Sequence, residues 1–364
     1  MSVTATARHT DLDPATVRRA VEARLTDFLR AKADEAADHR LPPLIHRTLG
    51  DFLTAGGKRV RPLLCVIGWH CGGHDTPPPD AVLQVAAALE MFHAFALIHD
   101  DVMDRSAIRR GRPTVHRTIA TALRRQGRDP ATADHMGNAA AILVGDLALT
   151  WSDELMHTAG LTPARLGDIL PLVHAMRSEA VYGQYLDLTA TGRPTTDVGQ
   201  ALRIADYKTA RYTIERPLHI GAALAGADHR LQAVLTAYAR PLGEAFQLRD
   251  DLLGALGTPA ATGKPHTDDL RDGKHTALAA LALTRADPEQ RHILQTLLGD
   301  PGLTEDGAAR IRALLVATGA RDEAEALILT RHRQALHALD TAALPPEVTT
   351  ALTSMADAAV RRSA

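Results

Sequence analysis

From Ala81 to Ile98 the chain is apolar except at Gln84, Glu90 and His93, and it then runs into Asp100, Asp101 and Asp104. Pro77, Pro78 and Pro79 mark a loop before this stretch, and Asp80 is placed to cap a long helix that continues to about Asp104. No uninterrupted apolar run approaches the ~18 residues of a membrane span, so the stretch reads as part of the large core of a soluble protein. The rest of the chain follows the same helical grammar. Ala and Leu dominate, aromatic residues are only 3%, and no run of alternating β-branched residues is bounded by hairpin turns. Asp13-Pro14 is an N-cap followed by proline at the first helical position, with Val17, Val21, Leu25, Phe28 and Leu29 as one apolar face. Pro42-Pro43 ends that segment and Gly56-Gly57 breaks the next. After polar connections at Arg105 to Pro113 and Arg124 to Asp134, helices are expected over about 136–158, 163–190, 197–224 and 228–256. Gly257 to Gly273 is expected to be a loop, and four shorter helical segments follow, separated near Asp287, Gly302, Gly319 and Pro345-Pro346.

A length of 364 residues would ordinarily suggest two domains, but no linker, repeat or low-complexity tract divides this chain. The expected fold class is all-α: one helical domain over residues 11–364, with residues 1–10 frayed. The net charge of -2, from 41 basic and 43 acidic side chains, gives no electrostatic case for a nucleic-acid partner. Two cysteines, Cys65 and Cys71, cannot build a disulfide framework, which points to a reducing cytoplasm.

Asp100, Asp101 and Asp104 fall within an arc of ~100° at the C-terminal end of their helix. Carboxylates there repel one another and face the negative end of the helix dipole, a conflict that a hard divalent cation such as Mg2+ removes. Asp250 and Asp251 repeat the adjacent acid pair at the end of another helical segment, with Gly254 where a third aspartate would stand. Two acidic helix ends facing each other across a cavity can hold metals between them and receive a diphosphate. Basic residues suited to such an anion stand nearby in the chain. Lys58 and Arg61 follow a glycine pair at a helix start, and Arg109-Arg110 follows the first acid cluster. Only five of the 41 basic residues are lysines (Lys32, Lys58, Lys208, Lys264 and Lys274), and all but Lys32 sit in motif-like strings. A compact ammonium is not interchangeable with a guanidinium at a tight site, so their survival in an arginine-rich chain marks them. His70, Cys71 and His74 lack a second ligand pair at zinc-site spacing and read as a helix exit.

The strings GGKRVRP (56–62), HDDVMDRSAIRRGRPTVH (99–116), GQYLDL (183–188), KTARY (208–212), FQLRDD (246–251) and GKPHTDDLRDGKHT (263–276) resemble those of the trans-isoprenyl diphosphate synthases, the polyprenyl synthetases. The resemblance covers about 56–276 in family order. It implies an all-helical bundle around a central cavity, of isoprenoid synthase type, in which an allylic diphosphate ionises and alkylates isopentenyl diphosphate. It implies Mg2+, about three ions per active site, bound by Asp100, Asp101 and Asp104 in the first aspartate-rich motif and by Asp250 and Asp251 in the second. By the same resemblance Lys58, Arg61 and His93, with Arg110 beside them, match the isopentenyl diphosphate site. Arg109, Lys208, Thr209, Gln247, Lys264 and Lys274 match the allylic diphosphate site, and Gln184 and Asp187 fall on a GQxxD element expected to line the cavity. A homodimer is the family expectation. Gly254 departs from the family pattern and puts metal ligation by Asp251 in question.

Ala96 lies one turn, ~6 Å, before Asp100 and Phe92 two turns, ~12 Å, before it, so both can border a tunnel running from the acid cluster. In the family an aromatic five residues before the motif, here Phe95, helps form the tunnel floor, and a bulky next residue favours C15 products. Phe95 followed by Ala96 therefore resembles the geranylgeranyl (C20) synthases, with a farnesyl (C15) synthase as the alternative. A class I terpene cyclase would have no use for GGKRVRP, and no N-x-x-x-S-x-x-x-E string is present. A non-catalytic subunit of a heteromeric synthase would have no need of the intact first motif and the lysines.

Overall fold

The computed structural model describes residues 12–74, 76–257 and 267–361. Residues 1–10, expected to be frayed, lie outside the described residues. Three helices, α1 (Pro14–Asp38), α2 (Leu44–Thr54) and α3 (Val60–His70), lead into α4 (Asp80–Met103). Asp13 caps α1 by accepting the Thr16 N–H at 2.9 Å, as its Asp-Pro signature requires. Asp80 does not cap α4. The N-cap is Pro79, and the Asp80 carboxylate pairs instead with Arg24 of α1.

Among the described residues α4 is the one helix long and apolar enough to cross a membrane by length and composition, with its apolar run interrupted at Gln84, Glu90 and His93. Its residues Val82 to Phe92, Leu83 and Gln84 apart, are almost all buried, and they pack against α1, α3 and the later helix α6. It also buries Glu90 and Asp101, each with an arginine partner. A helix apolar nearly all round in such surroundings is the core helix of a bundle.

The connection after α4 contains a two-stranded antiparallel hairpin, β1 (Ile108–Arg109) and β2 (Arg112–Pro113), too short for sequence alternation to reveal. Then come α5 (Val115–Arg125), α6 (Pro130–His157) and α7 (Pro163–Ala190). The sixth helix starts at Pro130, six residues earlier than expected from 136, because Asp129 caps it through the Thr132 N–H. That is the same Asp-Pro signal that opens α1, read there as part of a polar connection. The expected helix at 197–224 is continuous but not uniform. It consists of α8 (Val198–Ala205), a ten-residue π-helix (Asp206–Glu215) and α9 (Arg216–Leu224).

After α10 (His229–Leu256), the expected loop contains a short helix, α11 (Asp268–Asp272), closed by Gly273 at φ 64. Five helices finish the chain rather than four: α12 (Ala277–Arg285), α13 (Pro288–Leu297), α14 (Glu305–Ala317), α15 (Ala320–Asp340) and α16 (Pro346–Val360). The four breaks read from the sequence are all present, and four breaks separate five segments. The larger hydrophobic core gathers α1 to α7, the π-helix, α9, the first half of α10, the C-terminal end of α15 and α16. A smaller one gathers α8, the second half of α10 and α11 to α15. Two helices join them: α10, with Tyr238 and Leu242 in the first core and Leu248 and Leu252 in the second, and α15, with Ala335 and Leu339 in the first and Ala324 and Ile328 in the second.

Candidate active site

The last turn of α4 is held by cations from three other elements. Asp101, fully buried, accepts the Arg109 Nε–H with both carboxylate oxygens at 2.8 Å. Asp100 accepts from Arg109 at 3.1 Å and from the Lys208 ammonium at 3.4 Å, and Asp104 pairs with Lys274 at 2.9 Å. Lys208 also bonds Asp187 of α7. Burial works against the charge on Asp100, but Lys208, Lys274 and Arg109 outweigh it and hold the carboxyl below its ordinary value. Burial likewise opposes the Lys208 charge, and Asp100 and Asp187 overcome it, so the ammonium is held more tightly than usual.

Lys208 reaches this place because α7 and the π-helix touch backbone to backbone. A Cβ on Gly183 would lie 2.5 Å from the Lys208 nitrogen, so only glycine permits the approach. The wider π turn brings Lys208, Thr209, Tyr212 and Thr213 to one cavity wall.

Across the cavity stands Asp250 of α10, with Asp251 behind it. Gln247 links the two sides: its carbonyl accepts the Thr209 hydroxyl at 2.6 Å and its amide donates to Asp251 at 2.9 Å. Burial, opposed by the Gln247 hydrogen bond and aided by Asp250, Asp269 and Asp187, pushes Asp251 up to about 7. The Gly254 departure has a spatial reason. A Cβ there would run into the carboxylate of Asp269 on α11, so a carboxylate from another element fills the room a third aspartate would take.

Among the described residues no three metal-ligating side chains converge on one point. The donor set still fits a hard cation: it is all carboxylate oxygen, with Asp100 and Asp250 facing the cavity and Asp104 adjoining. Mg2+ characteristically takes one or two carboxylates and completes its shell with water and substrate phosphate.

The basic end of the cavity is built on the loop between α2 and α3. Gly57 has φ 141 and lies under the Arg110 guanidinium, whose NH2 would be 3.0 Å from a Cβ at that position. Arg110 also donates to the Gly56 carbonyl. Arg59 sits in the left-handed region at φ 49, a conformation that costs a non-glycine residue about 1–2 kcal/mol. Arg61 donates to the Thr213 hydroxyl at 2.6 Å and lies 4.1 Å over the Tyr212 ring. Tyr212 in turn meets His93 Nδ1 at 3.0 Å. Burial, reinforced by Arg61, Arg110, Arg109 and Arg59, pushes the His93 imidazole well below its ordinary value, so it is neutral at pH 7. A neutral ring keeps one nitrogen as donor and one as acceptor.

The acidic and basic ends open into one cavity of ≈ 840 Å³. Lys58, Arg61, His93, Arg109, Arg110, Asp100, Gln184, Lys208, Thr209, Gln247 and Asp250 line its polar part. Phe92, Phe95, Ala96, Leu188 and Phe246 line its apolar part, where the Phe92 and Phe95 rings meet tilted at 5.2 Å and Phe95 meets His99 edge-on at 4.7 Å. Asp101, Asp104, Asp187, Asp251 and Lys274 stand behind that wall, each bonded to a group named above. Asp187, expected in the lining, is instead the buried counter-ion of Lys208. Lys264 lies outside the described residues. Lys32 bridges Glu35 and Glu154 at 2.9 and 2.7 Å, a structural role away from the cavity. His70 bonds the His74 carbonyl oxygen at 2.8 Å, and the His74 ring stacks on Trp69. Tyr212, Thr213, Arg59, Glu90 and His99 border the cavity without having been singled out. The KTARY string contained Tyr212, but only the π-helix reveals which way it faces.

The polyprenyl synthetase family model matches residues 42–315. Over 312 residues the chain is 31% identical to the (2E,6E)-farnesyl diphosphate synthase of Mycobacterium tuberculosis, covering 83% of this chain and 80% of that one. It is 30% identical over 255 residues to the geranylgeranyl diphosphate synthase of Methanosarcina mazei, covering 70% and 72%. In structure it superposes on the geranylgeranyl pyrophosphate synthase of Corynebacterium glutamicum, solved with isoprenyl diphosphate and magnesium. The TM-score is 0.92 at 38% identity, over 96% of this chain and 100% of that one. Motifs in order, a cavity with opposed acidic and basic ends, and likeness along most of the chain agree: the protein belongs to the polyprenyl synthetase family.

Proposed function

We propose that the protein condenses isopentenyl diphosphate with allylic diphosphates (dimethylallyl, geranyl and farnesyl) to geranylgeranyl diphosphate, C20, as main product. The observation that carries the reading is the single cavity. Its polar part offers two separate cationic sets for two diphosphates, and its apolar part is continuous with both. Lys58, Arg61, Arg110 and His93 hold the isopentenyl diphosphate without a metal, through charge-assisted hydrogen bonds. Arg109, Lys208, Thr209, Gln247 and Lys274, with Lys264, hold the allylic diphosphate. Asp100, Asp101, Asp104, Asp250 and Asp251 would hold Mg2+, which when bound supplies charge neutralisation for the departing diphosphate. The carbon–oxygen bond of the allylic substrate breaks, a carbon–carbon bond forms to the isopentenyl double bond, and a proton leaves the new chain. The apolar walls exclude water from the cationic carbon during that exchange.

The C20 reading rests on Ala96, small and beside the tunnel, with Phe92 and Phe95 as floor; C15 is the alternative, and named relatives of both kinds are similar to this chain. Free, buried Cys65 and Cys71 are consistent with the proposed cytoplasmic setting. A homodimer is part of the proposal, supported by apolar side chains left exposed on α6 and α7. The test is the purified protein with isopentenyl diphosphate, each allylic primer and Mg2+, with products separated by chain length. A linear C20 diphosphate supports the reading. A C15 product replaces it with the alternative, a cyclic hydrocarbon from one substrate indicates a cyclase, and no product indicates a non-catalytic subunit.

A further inference from the structure

Arg59 is the residue of the GGKRVRP string that no substrate site claims. Its side chain is 3% exposed, and its donors are spent on three separate elements. Nε donates to Glu22 of α1 at 3.2 Å, NH1 to Glu90 of α4 at 2.6 Å, and NH2 to the Leu53 carbonyl at the end of α2. Glu90 depends on it equally. One carboxylate oxygen accepts from Arg59, and the other has no hydrogen-bond partner among the described residues. A planar fork of five donors can meet three acceptors on three elements at once, which an ammonium cannot. The backbone at Arg59 is left-handed, one residue beyond two glycines with positive φ, so the side chain is what fixes the path of this loop. That path decides where three cations go. Lys58 and Arg61 flank Arg59 in the chain, and Arg110 lies on the Gly57 peptide and donates to the Gly56 carbonyl.

We propose that Arg59 and Glu90 are a positioning pair for the isopentenyl diphosphate site: a buried ion pair that shapes the 56–59 loop and thereby aims Lys58, Arg61 and Arg110 at the metal-free diphosphate. The inference rests on the assignment of those cations to isopentenyl diphosphate. Both members border the cavity, but Arg59 donates to Glu22, Glu90 and the Leu53 carbonyl, so the pair acts through the loop it shapes. The pair acts on one substrate and not the other, because the allylic set stands on the hairpin, the π-helix, α10 and the connection after α11, whereas Arg59 donates to α1, α2 and α4.

The test compares Glu90→Gln, which keeps shape and an acceptor oxygen, with Arg59→Gly, which suits the left-handed backbone but removes the anchor, and with Arg59→Lys. Binding of isopentenyl diphosphate in excess EDTA is measured by calorimetry, and KM and kcat are measured for both substrates with Mg2+. Glu90→Gln and Arg59→Gly are expected to weaken isopentenyl diphosphate by about 10- to 100-fold, the range for losing hydrogen bonds to a charged group. The allylic KM and the saturated kcat are expected to stay within about twofold, with Arg59→Lys intermediate. Folded variants that lose both substrates equally, or neither, overturn the proposal. So does failure of both Glu90→Gln and Arg59→Gly to fold, which would make the pair purely structural. If the wild-type protein itself binds no isopentenyl diphosphate in EDTA, the substrate assignment has failed instead.

Discussion

Asp100 and Asp104 read in the sequence as carboxylates in conflict, and the structure supplies each with a cation: Arg109 and Lys208 for the first, Lys274 for the second. Removing either carboxylate therefore strands buried cations instead of relieving repulsion. Asp100→Ala and Asp104→Ala are expected to fold with a lowered Tm and to lose turnover by at least about a hundredfold, unrestored by excess Mg2+. Near-wild-type turnover at ordinary Mg2+ would refute the metal assignment. His93 gives a prediction with a sign. Burial and four arginines depress its pKa, so the unfolded chain, at the ordinary 6.5, binds the proton more readily than the folded one. Its contribution to stability is present above 6.5 and is lost as pH falls below that value towards the depressed folded pKa. Melting curves of His93→Gln should show a shallower loss of Tm on acidification than the wild type over that window; identical slopes would place the titration elsewhere. At this scale the scarcity of lysine was the most informative sequence signal. Lys208 and Lys274 both answer first-motif aspartates, whereas Lys32 serves a surface bridge. Tyr212 carried no comparable signal, because an aromatic next to charges in a helical string reads as core until its neighbours are known.

The helices were legible where caps and prolines speak, as at Asp13-Pro14, and were missed where the same signal was embedded in a polar stretch, as at Asp129-Pro130. The π-helix at 206–215 was not legible at all. Its wider turn follows from packing, with Gly183 admitting the Lys208 backbone and Arg211 bonded to both Asp206 and Glu179. Local periodicity contains none of those partners. The proposed floor of the cavity lies on α4, whose one-turn spacing was readable directly. Phe92, Phe95 and Ala96 all border the cavity, and Phe92 is further pinned by Tyr212 at 5.8 Å and by the Arg177 guanidinium at 5.4 Å. Ala96→Phe should shorten the main product by placing a ring one turn, ~6 Å, below Asp100. Phe95→Ala should lengthen it, since the ring packed against Phe92 and His99 is then absent. Product chromatography decides both, and an unchanged length in both variants would move the floor to another helix.

For the whole molecule, the sequence sufficed for an all-α chain but not for its two cores joined by α10 and α15, because which faces meet across hundreds of residues is settled only by packing. It also could not indicate which apolar side chains stay outside. On α7 Val181, Tyr182, Tyr185 and Leu188 are exposed at helical spacing along one side, and on α6 Met136, Ile142 and Leu143 are exposed opposite the buried Ala133, Gly137, Ala141 and Val144. Exposed apolar side chains clustered along one helix face are the kind of surface that a partner covers. Tyr185 and Leu188 border the cavity as well, so what covers α7 also bears on the tunnel wall. The proposed homodimer uses this surface. Light scattering should report twice the chain mass of 39.0 kDa for the wild type. Leu143→Glu combined with Tyr182→Glu alters two side chains that are 59% and 66% exposed, so folding of the chain should survive while association is lost. The variant should scatter as a single chain with an unchanged helical circular dichroism spectrum. A wild type of single-chain mass would remove the dimer from the proposal, and a double variant that stays dimeric would move the interface to another face.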